Sequence, residues 1–359
     1  MSLKDWFDKT FPEAPPVIRA ARRSVPRLEA FHWTGESPGL DVVKNVSASG
    51  MYLLTKERWP QGQINPIRLT TEDMPVEAPG HDVEIQAVAV RWGEDGMGLR
   101  FLLPESMEIF LWKTRDEPQA SDVIKEFRIA QVVAFLLHIC PSGAEELKLL
   151  FRNELSSIRT LNTVEIGIRA EQIMARQPGT ENFRIPKSLL MRIIECGSWA
   201  EDDLVRQFWA GLLVTSCSTD GFDESIRVYV ELLSQFAITQ ARIFGAVCGR
   251  CTKNLSNPDR TTALPISMTA EQLMEIAGAR DRVKIDRDLM HLSSAHLMSA
   301  EIRARSLFSY SEDAEITPTP MALEMYARCQ GHRGSPHDFY SQSPSTTTVV
   351  WNKKFLRKF

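Results

Sequence analysis

The sequence has no apolar run near the roughly 20 residues that a bilayer-crossing helix needs. Its longest uninterrupted stretch, Val132 to Leu137, is under two helical turns. The opening residues, MSLKDWFDKTFPEAPP, lack the apolar core of a signal peptide or an anchor. Cysteine is scarce: six in 359 residues, scattered without a disulfide-framework pattern. Neither sign of charge dominates, because the net charge is only −4, so no global field draws the chain to nucleic acid or anionic lipid. These absences predict a cytoplasmic protein in a reducing compartment, with any anion site confined to a local cluster.

What is there is ordinary for a folded chain: 43% hydrophobic and 25% charged residues, over a length that suits two or three domains. Residues 1–18 read as a leader. From 19 to 104, short alternating runs (28–33, 41–46, 51–55, 64–69, 83–92, 97–102) are separated by Gly, Pro, Asn and Asp, with no helical pattern between them. Six such strands predict a small antiparallel barrel. Residues 105–121 read as a linker, with Pro118–Ser121 at its end. Helical periodicity then marks a bundle over 122–253, with helices at 122–139, within 144–177, and at 189–195, 201–216, 224–233 and 241–251. The segment 266–332 reads as helix (270–277), helix (287–295), a strand-like piece (307–316) and helix (320–330), an order that hints at a winged-helix-like unit. A Ser/Thr-rich tail, 333–359, ends in WNKKFLRKF. The fold class expected is therefore α+β, a six-stranded antiparallel barrel followed by a mostly helical region.

One cluster stands out. Arg19, Arg22, Arg23 and Arg27 fall within nine residues, with no acid between Glu13 and Glu29. Arg23-Ser-Val-Pro-Arg27 has the form RxxxR just ahead of the first strand, and Asn45-Val-Ser47-Ala-Ser-Gly50 has the form (D/N)xSxxG at a strand turn. Arginine's planar fork pairs bidentately with phosphate or with O6 and N7 of guanine, and it also stacks on bases. A short amide and a hydroxyl can meet a base's polar edge, and a glycine lets the backbone approach closely.

The order and spacing of these motifs resemble the PilZ family of cyclic di-GMP receptors. Gly50-Met-Tyr-Leu resembles the strand after the second motif, and Val90-Arg-Trp92 with Gly96-Met-Gly98-Leu-Arg-Phe101 resembles the closing strand pair. The resemblance covers about residues 18–104 and implies a bacterial signal receptor. It implies that Arg23 and Arg27 hold phosphate and guanine from a mobile arm, that Asn45, Ser47 and Gly50 hold the other base, and that Arg22 stacks on an extra guanine. Asn45 stands where the family more often has Asp.

Farther along, Cys196-Gly-Ser-Trp199, Trp209-Ala-Gly-Leu-Leu213, Leu232-Leu-Ser-Gln-Phe236 and Ile316–Tyr326 are similar to helical domains of the Abi-alpha type. That family brings no established chemistry, and its Trp and Leu residues read as core. The helical region is expected to pass the signal to an unidentified protein partner. The competing expectation is a helical defence or scaffold protein whose barrel no longer binds.

Other candidates for chemistry fall short. Cys248-Gly-Arg-Cys251 and Cys329-Gln-Gly-His332 could together hold zinc, yet the pairs are almost 80 residues apart. Paired acids at 145–146 and 201–203 sit at expected helix starts, where they favour the dipole. No Walker-type loop, GxSxG, HExxH, GGDEF-like or EAL-like run is present. We therefore expect a receptor with no catalytic residues, metal or cofactor beyond the ligand. A DNA reader built on the winged-helix-like segment would need a cationic helix; 320–330 offers Arg328 against Glu324, which argues against nucleic acid.

Overall fold

Alternation of apolar and polar residues builds the six expected strands: β1 (Leu28–Trp33), β2 (Pro38–Ser47), β3 (Gly50–Leu54), β4 (Ile64–Thr71), β5 (Asp82–Trp92) and β6 (Gly96–Phe101). They close into an antiparallel barrel in the order β1-β2-β3-β6-β5-β4. Val43, Met51, Leu53, Ile67, Leu69, Ile85, Met97 and Leu99 fill the interior. Closure leaves no strand edge unpaired. Register shifts between Val43 and Asn45 and between Ala89 and Arg91 mark bulges in β2 and β5. Bulges re-aim the side chains beside them, and both lie near the motif residues. In this computed structural model the described residues are 24–33, 38–47, 49–71, 82–102, 119–144, 146–147, 151, 158–180, 182–219, 226–254, 261–301 and 314–342.

The chain divides into two compact units, 1–160 and 161–359. In the first, helix α1 (Ala120–Ile139) packs on the barrel. Ala120, Val123, Ile124, Phe127 and Ala130 join the barrel's apolar core, with Phe127 edge-on to Phe101 at 5.0 Å between centroids. Arg128 Nε donates to the Asp82 carbonyl at 3.1 Å. Two of the expected linker residues, Ala120 and Ser121, are instead the first turn of this helix. The polar sequence around Ala120 hid it, although it is buried.

The second unit is mostly helical: α2 (Ile158–Ala175), α3 (Lys187–Gly197), α4 (Asp203–Thr215), α5 (Arg227–Ser234) and α6 (Ile238–Arg250), then the short strands β7 (Lys253–Asn254) and β8 (Thr262–Ala263). Asp202 caps α4, accepting from the Leu204 and Val205 amides, and its other oxygen takes two bonds from Arg242 on α6. Phe208, Phe244 and Tyr326 meet edge-on at centroid distances of 6.0 to 6.3 Å and centre the core. Trp209, Leu212 and Leu213 are buried there as expected. Trp199 corrects that expectation, being 63% exposed in the turn between α3 and α4.

The last segment runs β9 (Ile266–Met268), α7 (Ala270–Ala277), α8 (Arg282–Ser294), β10 (Met298–Glu301), β11 (Ala314–Pro318), α9 (Pro320–Cys329) and α10 (Pro336–Gln342). Its three-stranded sheet has the order β10-β11-β9. Helix α8 starts five residues before the expected Arg287, at the cap formed by Asp281, whose side chain accepts from the Val283 amide; Asp288 in its middle is buried, accepting from Thr239 Oγ1 at 2.6 Å and Gln240 Nε2 at 3.0 Å. The strand expected over 307–316 is seen at 314–318; residues 307–313 lie outside the described ones. Among the described residues no helix is long and apolar enough to cross a membrane.

Candidate functional site

The β2–β3 hairpin carries the second motif. Ser47 pairs with Gly50 to close it, and Ser47 Oγ donates to the Gly50 carbonyl at 3.0 Å, locking the turn. A Cβ on Gly50 would lie 2.1 Å from the Leu99 carbonyl oxygen, so packing of β3 on β6 alone requires glycine here. Asn45 follows the bulge, half-buried on the outer face and opposite Tyr52.

Strand register extends this face. Ser47 pairs with Gly50, Gly50 with Arg100, and Arg100 with Val88. One row along, Asn45 pairs with Tyr52, Tyr52 with Gly98, and Gly98 with Arg91. Side chains of cross-strand partners share a sheet face, so Arg91 and Arg100, both exposed, stand on the same outer surface as Asn45 and Ser47. Their sequence signal was the cation within each closing strand, in Val90-Arg-Trp92 and Gly98-Leu-Arg-Phe101. Spacing alone does not reveal that Arg100 lies beside Gly50.

A polar trio flanks the face. Asp95 accepts from Lys44 Nζ at 2.6 Å and from the Tyr52 hydroxyl at 2.8 Å. The Lys44 hydrogen bond, then that of Tyr52, holds the Asp95 carboxyl below its ordinary range. Lys44 Nζ also sits 5.5 Å from the Tyr52 ring centre. The trio is solvent-exposed, so its contacts are screened.

Of the first motif, Arg27 is described, and Arg19, Arg22 and Arg23 lie outside the described residues. Arg27 is exposed, with φ of 61°, in a turn anchored by buried Val25. Two residues after Arg27, Glu29 pairs with Val42 of β2, and Ala30 with Asp41. The hairpin residues thus share one face, and Arg27 lies just ahead of β1, the strand that pairs with β2.

Cys248, Cys251 and Cys329 are buried, and burial pushes each thiol up, Cys251 and Cys329 adding to the effect at Cys248. His332 Nε2 is 3.1 Å from the Ser335 carbonyl. Among the described residues no group of three or more His, Cys, Asp or Glu side chains could hold a metal ion.

In the helical unit, Arg192, Cys196, Trp199, Val205, Trp209 and Phe236 are among the residues lining a cavity of about 380 Å³. Arg192 is committed to Glu231, at 2.8 Å, which leaves the cavity without a spare cation on that side. The α2 to α8 framework decides the comparison with known families. Residues 161–313 match the family described as abortive infection alpha. That match is under half of the chain, and it marks the helical unit as similar to that family. No curated protein matches the chain.

Proposed function

We propose that this chain is a non-enzymatic receptor for cyclic di-GMP, with the barrel as the binding unit and the helical unit as the output toward a protein partner. One observation carries the reading. Asn45, Ser47 and Gly50 share an outer barrel face with Arg91 and Arg100, and Arg27 immediately precedes β1, which pairs with β2. Two guanidinium groups suit the ligand's two phosphates, and the amide, hydroxyl and bare backbone of the hairpin suit one guanine edge. The Tyr52 ring beside Asn45 supplies a surface for base stacking. Arg22 and Arg23 would close on the ligand from the segment that precedes β1. A ligand held by both that segment and the barrel shifts any conformational equilibrium by its differential affinity for the two states. Asn45 keeps the acceptor of the commoner Asp while adding no charge beside the phosphates.

The match of residues 161–313 to abortive infection alpha favours a second reading, a defence protein whose barrel does not bind. Calorimetric titration of the full chain with cyclic di-GMP separates the two. The receptor reading expects micromolar or tighter binding, weakened about ten- to hundredfold in Arg27→Ala by loss of a charge-assisted contact. A folded protein that gives no heat of binding supports the second reading instead.

A further inference from the structure

The cationic-helix test for nucleic acid applies to a different helix from the one the sequence suggested. In α9, Ala322, Leu323, Met325, Tyr326, Ala327 and Cys329 are buried, and the Phe208–Tyr326 ring contact ties it to α4. It is a core helix and cannot lie in a groove. The helix between β9–α7 and the β10–β11 hairpin is α8, and it is exposed along one face.

That face is specific. Val283, Arg287, Met290 and Ser294 recur at i, i+4, i+7 and i+11 and are all exposed, Val283 by 63% and Met290 by 60%. Such spacing lines one stripe of a helix. Lys284 borders the stripe and Arg280 stands just ahead of the helix, both exposed. The opposite side, Ile285, Asp288, Leu289 and Leu292, is buried.

Three of the nearby carboxylates are already occupied, while Asp286, whose Oδ1 has no hydrogen-bond partner, and the exposed Glu275 of α7 are not. Asp281 caps the helix, accepting from the Val283 amide at 2.9 Å. Asp288 is buried against α6 through Thr239 and Gln240. Glu271 is paired with Arg282. Asp286 is half-buried on the flank. Arg280, Lys284 and Arg287 form no ion pair among the described residues, although the chain as a whole is acidic.

We infer that the outer face of α8 binds duplex DNA, with the helix in the major groove. The 13 residues of α8 span about 20 Å at 1.5 Å per residue, and the B-form major groove, about 12 Å wide, admits a helix. Arg280, Lys284 and Arg287 would meet phosphates and base edges. Val283 and Met290, costly to leave in water, would meet thymine methyl groups. Double-stranded RNA is a poorer fit, because its major groove is too narrow to be read. The inference is independent of ligand binding by the barrel.

Fluorescence anisotropy of a labelled duplex DNA of about 24 base pairs, with the full chain, tests it. Three phosphate contacts predict an affinity that falls about 40-fold between 50 and 200 mM KCl, from a slope near −0.9 per contact. Arg287→Ala and Lys284→Ala should each lower that slope by about one. Met290→Glu, an exposed substitution that removes no cation, should weaken binding at least tenfold while circular dichroism stays unchanged. Absence of binding at 50 mM KCl would overturn the inference. So would variants that bind like the parent chain, or equal affinity for double-stranded RNA or polyglutamate of matched length.

Discussion

The helical unit's core and the barrel's motif-bearing face use arginine in opposite ways. In the helical unit several described arginines are pinned: Arg169 to Glu165 and Asp203, Arg192 to Glu231, Arg242 to Asp202, Arg328 to Glu324. The Asp203, Glu231 and Asp202 pairs join different helices or their caps, whereas Arg328 and Glu324 pair within α9. On the barrel's motif-bearing face, Arg91 and Arg100 are exposed and make no ion pair among the described residues. A guanidinium already bonded to carboxylates has little to offer a ligand, whereas a free one on a rigid strand pair offers a ready contact. The same residue type therefore serves architecture where it is paired and is left available where it is not, as on the barrel face.

The strongest way to break this comparison is to remove a pinned partner. Asp202→Ala takes away both the α4 cap and the Arg242 contact, and should cost about 2 kcal/mol of stability. Denaturant unfolding reads this loss, and cyclic di-GMP affinity should not change. A loss of affinity without a loss of stability would mean that the helical unit holds ligand.

Arg100→Ala is the converse. Exposed and unpaired, it should change stability by no more than about 0.5 kcal/mol, yet weaken cyclic di-GMP about tenfold, the cost of one charge-assisted contact. Calorimetry on the variant checks both halves of that statement, and unchanged affinity would place the ligand elsewhere.

The barrel was legible in the sequence because its alternation is regular: all six strands lie within a few residues of their expected ends. The contribution of Arg91 and Arg100 was not, because an exposed cation on a strand is ordinarily a solvated one, and only the register of β3, β6 and β5 sets them beside Gly50 and Asn45. Gly50 was read as room for a ligand; the structure adds an independent need, the approach of the Leu99 carbonyl. In the helical unit, periodicity located most of the helices but began α8 at Arg287, short of its Asp281 cap, and left α10 in the segment read as a tail. It also missed β9 and β10, too short to show an alternation. Trp199 read as core because tryptophan generally is; its place in a turn was not encoded in any pattern.

A smaller effect sharpens the same contrast. Asp95→Asn removes a carboxylate flanking the ligand face and frees Lys44, which Asp95 now engages. Affinity for cyclic di-GMP should rise about threefold at low salt and converge on the parent value at high salt, as for exposed charges. A titration series in KCl reads this, and a decrease at low salt would contradict it.

Hydrogen exchange of the full chain with and without cyclic di-GMP tests the central claim most directly. If the barrel face is the receptor, amides of residues 45–54 and 91–101 should exchange more slowly in the presence of ligand, together with those around Arg27. Unchanged exchange across these strands, or protection found only within 161–342, would contradict it.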